Sequence, residues 1–255
     1  MTYRRSSIQF CYLVTILLAA FFSGCATDNG VRQDDVADPL EPVNRVTYKI
    51  NDWGDKFILR PVAKGYEWIF PSFVRTGISN FYDNLSYPMD IVNALLQGKF
   101  TQAASDTGRL ALNSTLGLAG FLDPATDVGL ARHEEDFGQT MGVWGIPQGP
   151  YLVVPLFGPR TMRSGVGNLV DALYHPQVQM RNSSLRTKIN ILYFIQLRAS
   201  LLGIDKELQR AFDPYTFVRD AYLQNRRYLL FDGNLPDDDL FFDDEDFDDE
   251  DFDDF

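Results

Sequence analysis

The chain has 255 residues, of which 45% are hydrophobic, and it carries a formal net charge of −12 with two cysteines. A negative net charge does not favour binding to nucleic acid, and no nucleic acid is expected as a partner. The charge is uneven: residues 237–255 hold 13 of the 35 acidic residues and no base, which leaves residues 1–236 nearly neutral.

The N-terminus has the pattern of an export signal. Arg4 and Arg5 precede an almost uninterrupted apolar run over residues 8–22, and the small residues Ser23 and Gly24 follow it. The run is shorter than the roughly 20 residues that span a bilayer as a helix, which favours a cleaved signal over a permanent anchor. We therefore predict a lipoprotein signal peptide over residues 1–24, with a signal anchor as the alternative.

The cysteine at the end of this run indicates the kind of signal. Phe-Ser-Gly-Cys at 22–25 resembles the lipobox of bacterial lipoproteins, in which the thiol is acylated and the cysteine becomes the first mature residue. Cys25 is therefore the predicted lipidation site, and residues 25–37 are a predicted lipidated tether. Cys11 would leave with the signal, so the mature chain would hold no internal disulfide. Ala26 follows Cys25, which by resemblance to sorted lipoproteins favours the outer membrane.

Apolar spacing of three and four residues predicts a single helical domain over residues 38–232. Arg60-Pro61 is expected to end the first helix, and Pro88 is expected to open a fourth that stops at Gly98. Thr101 is expected to cap a fifth helix that ends near Gly117. The stripes of the first three helices are Val43, Val46, Ile50, Trp53 and Phe57, then Val62, Tyr66 and Ile69, then Phe73 or Val74, Gly77, Ile78, Phe81 and Leu85.

Residues 137–159 form an unusual stretch with five glycines, four prolines, four aromatic residues and no charge. The prolines remove amide donors and disfavour helix just before them, so no helix of ordinary length is expected through the second half. Exposed apolar area costs about 25 cal/mol per Å² in water, so core, a partner or lipid must cover this stretch.

Helical spacing returns over residues 166–173, 189–201 and 217–228. No segment after Cys25 approaches 18 consecutive apolar residues, so none is expected to cross a bilayer. The predicted fold class is all-α, with one Gly/Pro-rich, hairpin-like segment at about 137–159. Residues 233–255 are predicted to be a disordered acidic and aromatic tail, either solubilising or an arm for a basic partner surface or divalent ions.

Sequence signatures of an enzyme are weak. His133-Glu134-Glu135 lacks the second histidine of a zinc helix, so His133 is expected to be a solvated surface residue. The segment starting at Gly165 lacks the third glycine of a dinucleotide loop, and no phosphate loop is present. Ser164, Asp171 and His175 match the spacing of no known nucleophile elbow. No catalytic residue, cofactor or metal is predicted.

Several motifs, in order from residue 38 to about 230, resemble the MlaA (VacJ) lipoprotein family. Their order, directly after a lipobox, is more specific than any one of them. They are Asp38-Pro-Leu-Glu41-Pro42 with Asn44-Arg45, Arg60-Pro61-Val62-Ala63, Leu112-Asn113-Ser-Thr-Leu-Gly117 with Gly120-Phe121 and Asp123, Asp136-Phe137-Gly138-Gln139-Thr140, Gly149-Pro150-Tyr151 with Pro155 and Gly158, and Asp213-Pro214-Tyr215.

This resemblance implies an outer-membrane lipoprotein, lipid-anchored on the periplasmic side, with a ring or horseshoe of amphipathic helices in the inner leaflet around an amphipathic channel. Such a protein is expected to take misplaced phospholipids from the outer leaflet and pass them to a soluble periplasmic lipid carrier. It is also expected to sit beside a trimeric porin. A structural porin-associated scaffold is the alternative function, and a lipoprotein phospholipase is a further one that lacks a visible nucleophile and base.

On this reading, residues 137–159 fold back as a wall of the lipid conduit. A carboxylate at Val153, Val154 or Leu156 is then expected to disturb membrane seating or lipid passage, because a charge in hydrocarbon costs several kcal/mol. The candidate conduit residues are Gly142, Trp144, Gly145, Gly149, Tyr151, Val153, Val154, Leu156 and Phe157.

Overall fold

A computed structural model describes residues 38–235 of the chain. Cys25, the signal peptide, the tether and the acidic tail from residue 236 onward lie outside the described residues. The helices are α1 (Glu41–Gly54), α2 (Arg60–Ile69), α3 (Ser72–Leu96), α4 (Phe100–Thr115), α5 (Pro124–Asp127), α6 (Phe137–Val143), α7 (Met162–Tyr174), α8 (Ser183–Ser200), α9 (Asp205–Arg210) and α10 (Pro214–Leu230). The strands are β1 (Tyr151–Val154) and β2 (Gly158–Thr161).

The first two helices are continuous, and the predicted break at Arg60-Pro61 was wrong. A π-helical segment, Asp55–Leu59, joins α1 to α2, and the Arg60 amide bonds five residues back to the Asp55 carbonyl. A proline cannot donate the usual bond to the carbonyl four residues earlier. The wider turn accommodates that missing donor just before Pro61, so the chain continues as a helix.

Helix α3 runs for 25 residues with Pro88 in its interior, so the prediction that Pro88 opens a new helix was also wrong. Tyr87 on one side of the proline and Asn93 on the other are both buried. Packing on both sides therefore offsets the lost hydrogen bond. Gly98 follows the end of the helix at φ +78°, as predicted for a stop. Thr101 is not the cap of α4, because that helix begins at Phe100.

The stretch 137–159 contains both a short helix and a hairpin. Its first seven residues form α6, and β1 pairs with β2 in antiparallel register from Tyr151 with Thr161 to Val154 with Gly158. Leu156 in the turn between them lies at φ 66°, and Gly158 at the start of β2 lies at φ 77°. The helical fold with one hairpin is confirmed.

The interior of the described chain is small and polar. No leucine, isoleucine, phenylalanine or tryptophan within residues 38–235 is fully buried; the buried apolar side chains are alanines, tyrosines, one methionine and one valine. Beside them lie buried polar groups: Asn44, Asn93, Asp106, Arg109, Asn113, Glu135, Gln139, Thr140, Thr161, Ser164 and Arg226.

No helix within residues 38–235 is both long enough and apolar enough to span a bilayer.

Candidate functional site

The apolar stripe of α1 faces outward. Val43, Val46, Ile50 and Trp53, with Phe57 in the π-helical segment, are each between 59% and 66% exposed. A helix of a water-soluble domain turns such a stripe toward the core. Here the stripe forms an outer apolar surface, with a shallow cavity of about 290 Å³ lined by Val46, Lys49, Ile50 and Trp53.

This apolar exterior extends over other parts of the chain. Trp68 at the end of α2 is 88% exposed, and Leu156 at the tip of the hairpin is 84% exposed. Monomeric soluble proteins seldom expose large contiguous apolar patches, because each Å² in water costs about 25 cal/mol. A surface of this kind is suited to contact with lipid or a partner. Other exposed members are Ile58, Ile69, Phe73, Phe100, Leu116, Leu118, Phe157, Leu169, Leu173 and Phe212.

Two asparagines on α1 hold the free edge of β1. Asn44 donates to the Tyr151 carbonyl at 3.1 Å and accepts from the Val153 amide at 2.9 Å. One heptad further along, Asn51 donates to the Val154 carbonyl at 3.0 Å and accepts from the Leu156 amide at 2.8 Å. Each side-chain amide replaces a missing neighbouring strand, which satisfies the edge of the hairpin and fixes it against α1.

A polar cluster joins the base of the hairpin to the first described residue and to the start of α10. The Asn44 amide donates to Asp38 at 2.8 Å, and the Tyr215 hydroxyl also donates to Asp38. Arg45 pairs with Asp213 at 2.7 Å, and its hydrogen bond keeps the pKa of Asp213 well below the usual range. Three of the motifs named in the sequence, those at 38–45, 149–151 and 213–215, therefore meet at one place.

The motif at 136–140 fixes the start of α6. Asp136 caps the helix by accepting from the Gln139 amide at 2.8 Å, and it pairs with Arg226 of α10 at 3.0 Å. Burial opposes ionisation of Asp136, but the Arg226 partner outweighs it and the pKa lies below its usual value. Asp171 accepts from the Phe137 amide at 2.9 Å. This places three helices around one capped turn.

Arg109 occupies the centre of a second polar cluster and is almost wholly buried. One of its terminal nitrogens donates to both carboxylate oxygens of Asp123, at 2.7 and 2.8 Å, and its Nε donates to the Tyr87 hydroxyl at 2.6 Å. Asn113 donates to Asp123 at 2.8 Å and accepts from the Ala125 amide at 3.1 Å. The motif at 112–123 thus ties the loop after α4 to α3.

The predicted conduit residues divide between two environments. Tyr151 and Val153 are buried, with 0% and 4% exposure, while Leu152 and Val154 on the other face of β1 are half-buried. Burial raises the pKa of the Tyr151 hydroxyl. Phe157, Trp144 and Leu156 are exposed. The structure thus brings the strand residues together in one hairpin but places its two faces in different surroundings.

The glycines among those predictions have separate roles in the chain. Gly145 and Gly149 take positive φ values of 84° and 69°, which only glycine adopts without cost. Gly142 lies against Arg163 and Leu230, so that an added Cβ would come within 3 Å of both side chains.

A hydrolase site is not assembled from Ser164, Asp171 and His175. The Ser164 hydroxyl bonds Tyr222 at 2.7 Å, and the Asp171 carboxylate bonds Asn93 and the Phe137 amide. Eleven residues of helix, roughly 16 Å, separate Ser164 from His175. Residues 38–235 contain no grouping of three or more histidine, cysteine, aspartate or glutamate side chains placed to hold a metal.

The expectation for His133 was wrong. Its Nδ1 lies 3.2 Å from the buried carboxylate of Asp106, and its side chain is 23% exposed. The contact arises because the loop before α6 folds back over α4, which sequence spacing alone does not reveal.

Sequence reasoning missed the two asparagines that hold the hairpin. Asn44 entered only as part of a motif, and Asn51 was not singled out. Their seven-residue spacing, which places both on one face of α1, was the available signal.

The arrangement defines a class of helical protein whose apolar side chains lie outside and whose polar side chains form buried clusters. A family model described as MlaA lipoprotein matches residues 36–229. The chain belongs to the MlaA lipoprotein family.

Three curated relatives share the name intermembrane phospholipid transport system lipoprotein MlaA. The Shigella flexneri protein is 38% identical and the Escherichia coli protein 37% identical, each over 216 residues covering 83% of this chain and 85% of the relative. The Haemophilus influenzae protein is 32% identical over 238 residues, covering 89% and 95%. A solved structure concerned with the maintenance of bacterial outer membrane lipid asymmetry has 36% identity and a TM-score of 0.69, covering 76% of this chain and 99% of that one.

Proposed function

We propose that this chain is the outer-membrane lipoprotein of an intermembrane phospholipid transport system. It takes phospholipids misplaced in the outer leaflet and passes them to a soluble periplasmic carrier, which maintains lipid asymmetry. The names of the relatives and the subject of the solved structure support this assignment.

The single observation that carries the proposal is the reversed placement of side chains. Trp53 and Trp68 are exposed, whereas Arg109 and Asn93 are buried. A phospholipid has a charged head and apolar tails, so a conduit must offer polar groups to the head while hydrocarbon surrounds the tails. Helices arranged in a ring within one leaflet turn such apolar outer faces toward the tails, while buried polar pairs such as Arg109 with Asp123 hold the helices together around the proposed channel.

The hairpin is the proposed wall of this conduit. Tyr151 and Val153 lie on its buried face, its free edge is held by Asn44 of α1, and its tip at Leu156 and Phe157 is exposed. The tip is therefore the part of the wall suited to contact lipid tails. Gly142, Trp144, Gly145, Gly149 and Val154 complete the proposed conduit segment.

We further propose how the chain is anchored and which proteins it contacts. Residues 1–24 are removed as a signal peptide, and acylated Cys25 holds the domain on the periplasmic side of the outer membrane through the tether 25–37. Two or more acyl chains are enough for durable attachment. A trimeric porin is the proposed neighbour in the membrane, and the tail from residue 233 remains a solubilising segment or a partner-binding arm.

We infer that transport by this chain involves no covalent chemistry. The serine that a phospholipase reading would need, Ser164, is engaged by Tyr222 and by the Thr161 capping box. Direction would then come from removal of lipid by the downstream carrier.

The test is complementation of a strain that lacks its own transport lipoprotein. Expression of the full chain should lower the amount of outer-leaflet phospholipid, measured by surface labelling of intact cells. A Cys25→Ala variant, matched for abundance by immunoblot, should fail to do so. Normal lipid asymmetry restored by the unlipidated variant would contradict the anchoring proposal, and no restoration by the wild-type chain would contradict the transport proposal.

A further inference from the structure

A polar groove lies where α2, the start of α3 and the end of α8 meet. It has a volume of about 260 Å³ and is lined by hydroxyl, amide and guanidinium groups. The lining residues that matter here are Tyr66, Ser72, Arg75, Thr76, Ser79 and Gln196. The motifs and the hairpin described above contribute none of these side chains.

The tyrosine in this groove is buried without a hydrogen bond. Tyr66 is 5% exposed and packs against Phe70, with 5.1 Å between ring centroids. Its hydroxyl has no hydrogen-bond partner among the described residues. Buried hydroxyls are normally paired, as in Tyr82, which donates to the Ile189 carbonyl at 2.7 Å. Tyr66 thus lines the groove with a hydroxyl that the described part of the protein leaves without an acceptor.

Arg75 supplies a cation beside this hydroxyl. One of its terminal nitrogens pairs with Glu67 at 2.5 Å, while its Nε is covered and has no partner within the described part of the chain. Burial raises the pKa of the Tyr66 hydroxyl, although Arg75 opposes the shift. The phenol therefore remains a protonated donor next to a guanidinium that has bonding capacity left.

The start of α3 adds a third favourable element. This helix of 25 residues begins at Ser72, has no acidic residue in its first turn and has no side-chain cap. The first amides of a helix point away from it without helical partners, and its dipole favours an anion there. Ser72 lines the groove, so the helix terminus, the phenol and the guanidinium all favour an oxyanion.

Three apolar side chains close in sequence to the lining residues Tyr66 and Ser72 are exposed. Trp68, Ile69 and Phe73 are 88%, 61% and 69% exposed. An inorganic anion gains no binding free energy from this apolar surface. An amphiphile gains binding free energy there, because its tails cover apolar area while its head occupies the groove.

We propose that the groove binds the phosphate group of a glycerophospholipid. Tyr66 and Arg75 donate to the phosphate oxygens at the start of α3, and the acyl chains lie over Trp68, Ile69 and Phe73. This headgroup site rests on the proposed function, since it names where a transported lipid is held. It is separate from the hairpin.

The experiment is calorimetric titration of the purified full-length lipoprotein in amphipol with dihexanoyl phosphatidylglycerol. Two parallel ligands are used: inorganic phosphate carries only the head charge, and dihexanoylglycerol carries only the tails. The phospholipid should bind more tightly than either. Equal binding of dihexanoylglycerol would overturn phosphate recognition, and equal binding of inorganic phosphate would overturn the assignment to a lipid.

Tyr66→Phe is the principal variant, because it removes only the hydroxyl. It should weaken phospholipid binding roughly tenfold, as expected for a hydrogen bond to a charged acceptor. Its melting temperature without ligand should be no lower than that of the wild type, since the lost group has no partner there. Arg75→Gln should weaken binding to a similar extent.

Tyr82→Phe is the matched control, because that hydroxyl is already bonded within the protein. It should lower the melting temperature and leave phospholipid affinity unchanged. Unaltered affinity in Tyr66→Phe would overturn the proposed site. If Tyr66→Phe binds phospholipid normally while the wild-type chain restores lipid asymmetry in cells, the headgroup site is refuted and the transport function stands. If the wild-type chain does not restore lipid asymmetry, the transport function is refuted instead.

Discussion

Gly138 and Gly167 pack backbone against backbone where α6 crosses α7. A Cβ built on Gly167 would lie 2.3 Å from the amide nitrogen of Gly138, closer than any real Cβ contact. The capped turn at Asp136 sits at this crossing and connects it to Arg226 of α10. The two helices must therefore approach closely for the polar contacts around Asp136 to form.

Gly167→Ala should destabilise the fold by about 1–3 kcal/mol, because backbone atoms cannot move aside for the new methyl group. Denaturant unfolding followed by tryptophan fluorescence measures the change. Gly165→Ala is the matched control on the same helix, since nothing lies within 4 Å of its added Cβ. That variant should be stabilised by roughly 0.5–1 kcal/mol from helix propensity. Equal effects of the two substitutions would contradict the close crossing.

Removal of the asparagine bridge should loosen the hairpin in a graded way. Asn44→Ala leaves the buried carbonyl of Tyr151 and amide of Val153 unpaired and should cost about 2–4 kcal/mol. Asn51→Ala should cost roughly 1 kcal/mol, because its partners lie near the exposed tip, where water replaces them. Thr47→Ala, on the same helix with only a local bond to the Val43 carbonyl, is the control. Hydrogen exchange of the hairpin amides would report the order, and protection unchanged in Asn44→Ala would refute the bridge.

A charge placed on the hairpin should have different effects at the buried face and at the exposed tip. Val153→Asp puts a carboxylate at a site with 4% exposure and should remove the protein from cells by unfolding it. Leu156→Asp, at 84% exposure, should leave abundance normal and raise outer-leaflet phospholipid, because the charge would face lipid tails. Leu156→Ser controls for loss of the leucine. Normal abundance and normal lipid asymmetry in Leu156→Asp would show that the tip does not face lipid.

The carboxyl of Asp90 should make stability depend on pH. Burial raises its pKa to about 8, with Asp106 and Glu134 adding to the effect and the Glu135 amide and Arg132 opposing it. An aspartate in the unfolded chain has a pKa of about 3.9. The folded state therefore binds the proton more tightly, and this contribution to stability is full below about pH 4 and is lost as the pH rises to about 8.

Asp90→Asn removes that titration and should be more stable than the wild type at pH 8, by at least about 1 kcal/mol. The difference should shrink toward zero near pH 4. Thermal unfolding between pH 4 and 8 measures it, with the exposed carboxylate variant Asp127→Asn as the control. A stability difference that stays constant over this range would show that Asp90 ionises normally in the folded protein.

Local sequence was sufficient for the helical spacing of most segments and for the hairpin. Val43 to Trp53 recur at helical spacing whichever side they face, and Gly98 stops a helix because few other residues adopt its φ at low cost. The prolines of residues 147–159 exclude a helix there. These features depend on backbone geometry within a few residues, so the sequence indicates them without knowledge of the fold.

The local sequence does not show whether a helix continues through a proline. Pro61 and Pro88 were expected to mark helix boundaries, yet the chain continues through both, by a π-turn before one and by buried packing around the other. The free energy that decides such a case comes from residues distant in sequence.

The direction of the apolar stripes and the convergence of the motifs also required the tertiary structure. Periodicity shows that α1 is amphipathic, but only its neighbours show that the apolar side is the outer one. Asn44 meets Tyr151 across 107 positions, and Tyr66 comes to the wall of a groove closed by α8. Sequence by itself determines local conformation because steric and hydrogen-bonding preferences act over a few residues, whereas which groups are covered, paired or left without a partner is decided by packing between segments far apart in the chain.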